Sequence, residues 1–61
     1  VDIAYEDTMK EVESIVHPYT SQFCKRAAVL ILTGQNEKAE QYMDDFGSCA
    51  RNIVKKVTIL N

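Results

Sequence analysis

The chain reads as an all-α protein, a small three-helix bundle whose second and third helices form a hairpin pinned by a Cys24-Cys49 disulfide. Three observations predict it. Apolar residues recur at helical spacing in three separate stretches, the breaks between them fall at Pro18 and at Gly34-Gln35-Asn36, and two cysteines lie at comparable distances on either side of the second break. A chain of 61 residues forms a single domain, 1–61, and buries only about 60% of the surface its unfolded form exposes, so a staple or a partner is expected.

In the first stretch Tyr5, Met9, Val12, Val16 and Tyr19 fall on one stripe, while Glu6, Asp7, Lys10, Glu11 and Glu13 occupy the other faces. Asp2 is the expected N-cap, with Glu6 and Asp7 near the positive end of the helix dipole. Pro18 ends or kinks this helix at His17, because proline disfavours helical geometry in the residue before it.

The second helix starts at Thr20 or Ser21 and runs through Phe23, Cys24 and Ala27 to Leu32, with Gly34 suited to the left-handed position beyond its end. Its last turn and a half, Ala27 to Leu32, is apolar all round, which fits either a central helix or a belt for homo- or hetero-oligomer contact.

The third helix is expected to be capped by Asn36. Its series Ala39, Met43, Phe46, Ala50, Ile53, Val57 and Leu60 alternates steps of four and three, and at 1.5 Å per residue it reaches roughly 36 Å, long enough for its C-terminal end to overhang the bundle. Gly47 sits inside this series as the expected place of a kink, a close helix contact or a break into two helices. Val57-Thr58-Ile59-Leu60 is rich in β-branched residues, but with no second strand to pair with it reads as helix end or tail.

Cys24 lies ten residues before Gly34 and Cys49 thirteen after Asn36, so in an antiparallel hairpin they stand at similar heights. A bridge closing that loop stabilises by about 3.5 kcal/mol in the chain-entropy model. An even cysteine count in a short chain points to an oxidising compartment, and a first residue Val1 rather than Met fits removal of a signal or pro-segment, or a fragment. Secretion is the expectation. Reduced core thiols or an intermolecular bridge are the other readings of the pair. The longest apolar run, six residues, is far below the roughly 20 that span a bilayer.

Composition narrows function more than it identifies it. The formal charge is -2, which supplies no general attraction to nucleic acid, and the motifs of nucleic-acid modules are missing. No CxxC spacing occurs and His17 is the only histidine, so neither a metal centre nor a redox motif is expected, and no cofactor is implied. Asp45-Phe46-Gly47 matches a kinase tripeptide whose partner motifs do not fit in this length. Asp44 and Asp45 point about 100° apart on a helix and read as solvated surface rather than paired acids. With no constellation of nucleophile, base and oxyanion donors, an enzyme is not expected. Lys25-Arg26 and Lys55-Lys56 resemble processing sites of secreted precursors, and their survival is expected either from shielding by helical structure or because no such protease is met.

An up-down-up bundle gathers Asp2, Glu6, Asp7, Glu37 and Glu40 at one end and Lys25, Arg26, Arg51, Lys55 and Lys56 at the other. Val57, Ile59 and Leu60 lie beside those cations on the overhanging end, an expected contact surface for a protein receptor or an anionic membrane. The sequence thus points to a secreted, non-enzymatic interaction protein such as a toxin, defence peptide or signalling factor. A carrier of small apolar molecules is the alternative, with a cleft lined by Tyr5, Met9, Phe23, Leu30, Tyr42, Met43 and Phe46.

Overall fold

A computed structural model describes the backbone of residues 3–60 and the side chains of residues 4–59. The expected Asp2 cap and the Leu60 side chain lie outside the described residues. Three helices follow one another, α1 (Ile3–Ile15), α2 (Gln22–Leu32) and α3 (Asn36–Leu60), and no strand occurs among the described residues. Residues 57–60 continue α3.

α1 stops two residues before the expected His17. Its final hydrogen bond runs from the Val16 N–H to the Val12 carbonyl, 3.2 Å, after which the chain turns. Pro18 takes the second position of a tight turn closed by the Thr20 N–H donating to the His17 carbonyl at 2.9 Å, the place that its fixed φ favours. Tyr19 is therefore not part of the buried stripe of α1. It sits in the connector and is 91% exposed.

Ser21 takes the cap position of α2, its carbonyl accepting from the Lys25 N–H at 3.2 Å, although its side chain makes no capping hydrogen bond. At the other end Gly34 adopts φ +80°, with its N–H on the Ile31 carbonyl at 3.1 Å and the Gln35 N–H on the Leu30 carbonyl at 2.8 Å. This pair of bonds is the Schellman arrangement, and it needs a left-handed residue where the sequence supplies glycine. Thr33 reinforces the turn by donating its hydroxyl to the Val29 carbonyl at 2.9 Å while accepting from Gln35 Nε2 at 3.0 Å.

The cap of α3 is Gln35 rather than the expected Asn36: its carbonyl accepts from both the Lys38 and Ala39 N–H groups at 3.1 and 3.2 Å. Asn36 is already helical because the Schellman turn delivers the chain in helical register one residue early. α3 runs unbroken through Gly47, which is buried, yet a Cβ built there would meet only Met43 of its own helix, at 3.6 and 3.7 Å. Neither a break nor a close approach of another helix explains this glycine.

α2 is the central helix, packed against both others, and it buries Cys24, Ala27, Ala28, Val29 and Leu30. The apolar belt is thus largely covered within the chain, with Ile31 and Leu32 half-buried. Val12 from α1 and Ala50, Ile53 and Val57 from α3 complete the core. The expected overhang of α3 is absent at least through Val57, which is 6% exposed. Ile15 and Val16, at the end of α1, are half-buried and pack on this core. Cys24 and Cys49 are bonded, with their Cα atoms 5.9 Å apart, and tie the start of α2 to the middle of α3.

Candidate interaction surface

The tight turn after α1 and the outer side of α3 enclose an open groove of about 480 Å³. Val16, His17 and Thr20 form one wall; Asp45, Ser48, Cys49, Asn52, Ile53 and Lys56 form the other. Asp45, Ser48, Asn52 and Lys56 follow one another by three or four residues, so they lie along a single stripe of α3. Ile59 extends that stripe by one turn and is 74% exposed. Across the groove His17 is fixed from within the turn: its Nδ1 accepts from the Tyr19 N–H at 3.2 Å, and the two rings lie 5.1 Å apart.

That hydrogen bond limits the chemistry of the groove. His17, Asp45 and Ser48 are the residue types of a hydrolytic triad, but with Nδ1 occupied by a backbone N–H the neutral imidazole carries its proton on Nε2. In this arrangement the ring presents a donor on its free side. Among the described residues no group of three or more His, Cys, Asp or Glu side chains could hold a metal ion.

The sequence-predicted contact residues are distributed over more than one place. Lys56 lines the groove, and Lys55 and Ile59 are exposed beside it on α3. Arg51 instead borders a separate depression of about 390 Å³ with Ile31, Asn36, Ala39, Glu40 and Met43. Helical side chains lean towards the N-terminus, and Gly47, one turn earlier, has no side chain to stand in the way, so Arg51 shares this depression with Glu40 rather than the groove with Lys56. Lys25 is half-buried and Arg26 exposed on α2.

Sequence reasoning missed Tyr19, His17, Thr20 and Asn52. The signal for Tyr19 was present in Pro18, which ends the helix before Tyr19 and so removes it from the stripe whose spacing it matches. The residues expected to line an apolar cleft are mostly engaged elsewhere. Leu30 is buried; Tyr5, Met9, Tyr42 and Phe46 pack against the core; and Phe23, half-exposed, has its ring 6.1 Å from Tyr42 and 5.6 Å from Phe46.

The disulfide is compatible with an extracellular protein, and among the described residues no helix is long and apolar enough to cross a membrane. Comparison with protein-family models, with curated proteins and with solved structures gave no match.

Proposed function

We propose that this chain is an extracellular, non-enzymatic interaction protein, a toxin, defence or signalling factor, that engages a protein receptor through the groove between the α1–α2 turn and the C-terminal half of α3. The carrying observation is the exposure of Tyr19 and Ile59 beside the groove that holds Lys56. Three large apolar side chains stand exposed among the described residues, and the third, Phe23, is stacked on Tyr42 and tilted against Phe46. A protruding tyrosine is the kind of side chain that anchors protein interfaces, and the polar rim of Thr20, Ser48 and Asn52 supplies hydrogen-bonding groups around it. A receptor is favoured over an anionic membrane because the chain carries net charge -2 and the groove is lined by a carboxylate, Asp45, as well as by its one lysine, Lys56.

The test is binding of the N-terminally labelled protein to a panel of intact cells, beside phosphatidylcholine vesicles with and without phosphatidylserine. Saturable cell binding, competed by unlabelled protein, lost after protease treatment of the cells and weakened about tenfold or more by Tyr19→Ala or Ile59→Ser, is expected. Binding that survives Tyr19→Ala, Ile59→Ser and the pair Lys55→Glu with Lys56→Glu would remove the groove from the proposal. Uptake by phosphatidylserine vesicles alone would replace the receptor with a membrane.

A further inference from the structure

The two halves of the disulfide are buried unequally. Cys24 has no exposed surface and belongs to the core cluster with Val12, Ala27 and Ala28, whereas Cys49 is partly exposed and borders the groove beside Ser48 and Asn52. Thiol-disulfide exchange requires a thiolate to reach one sulfur while the other departs as thiolate, so access decides which sulfur is attacked. We infer that Cys49 is a thiol-exchange site, opened through this groove by a small-molecule thiol of the glutathione class, with Cys24 as the departing sulfur.

The groove, about 480 Å³, has the volume of a small-molecule site. The incoming thiolate attacks Cys49 Sγ and forms a new S–S bond as the Cys24–Cys49 bond breaks. The electron pair leaves on Cys24 Sγ, which then takes a proton and remains in the core as a neutral thiol. A second thiol attacking the mixed disulfide releases the oxidised small thiol and leaves Cys49 reduced, so two small-thiol molecules supply the two electrons. Departure of a thiolate into surroundings of valine and alanine is unfavourable, and recapture by Cys24 is fast, which makes the staple durable until reductant is plentiful. This inference concerns the bridge itself and does not depend on the receptor reading.

The test uses the native, disulfide-bonded protein with reduced glutathione, sampled early, quenched with acid, alkylated in acidic denaturant and mapped by peptide mass spectrometry. A parallel reaction is run in guanidinium chloride. In the native reaction glutathione is expected on Cys49 and the alkyl group on Cys24, with a preference of about tenfold or more that disappears in denaturant, where both sulfurs are open. Equal labelling of the two cysteines in the native reaction would show attack through the unfolded chain and overturn the inference. Preferential glutathione on Cys24 would overturn it as well.

Discussion

Gly34 and Gly47 show how one residue type serves opposite ends of a stability argument. Gly34 has open space around it, yet its φ of +80° is a conformation that side-chained residues resist, so Gly34→Ala is expected to cost about 1 kcal/mol or more despite meeting no neighbour. Gly47 lies inside α3 without a positive φ, and the methyl group of alanine would make ordinary contact with Met43. Gly47→Ala should therefore stabilise by about 1 kcal/mol, the difference in helix propensity. Thermal denaturation would show the two variants moving in opposite directions, each by roughly 4–8 °C. A fall in stability for Gly47→Ala would reveal a packing role that its surroundings do not show. The role of Gly34 was legible, since a glycine at the end of an apolar run announces a left-handed helix terminus. That of Gly47 was not, because spacing places a glycine on a helix face without saying whether anything stands opposite.

At the level of elements, α2 and α3 are joined by a short turn, an apolar seam and a covalent bond, while α1 has none of the covalent help. Among the described residues Val12 is the one that α1 puts in the buried core, against five from α2. α1 should accordingly detach at lower free energy than the hairpin opens. Hydrogen exchange is expected to release the amides of residues 8–15 before those of residues 24–32, and Val12→Ala, at a cost of about 2 kcal/mol from lost burial and a residual cavity, should widen that gap. Simultaneous exchange of both helices would show that the three move as one unit. The elements themselves were readable from residues that repeat in register: Ala39, Ala50, Ile53 and Val57 are all buried, and Met43 and Phe46 half-buried. What periodicity could not supply was the neighbour of each stripe. Val57 looked like an exposed aliphatic but belongs to the core cluster that residues of α1 and α2 share, and Tyr19 looked buried because it kept the spacing after the helix had ended.

For the molecule as a whole, the staple and the core must together oppose the chain entropy of 61 residues, and a domain of this size holds only about 3–9 kcal/mol of net stability. The bridge closes a sequence separation of 25, for which loop entropy gives roughly 3.5 kcal/mol. Reduction should therefore lower the melting temperature by roughly 15–25 °C, because in a domain this small each kcal/mol moves the midpoint by several degrees. Circular dichroism at the helical band, recorded with and without a phosphine reductant, reads this directly. Substituting both cysteines by alanine separates loss of the bond from any effect of the reagent, at the further cost of a small cavity where the Cys24 sulfur is buried. A reduced chain that melts within a few degrees of the oxidised one would mean that the unfolded hairpin already keeps its ends close, so that the bond removes little entropy from it. The same result would make the disulfide a marker of where the protein acts rather than the reason it stays folded, and would shift the burden of stability to the buried cluster in which Ala27, Ala28 and Val29 of α2 meet Ala50, Ile53 and Val57 of α3.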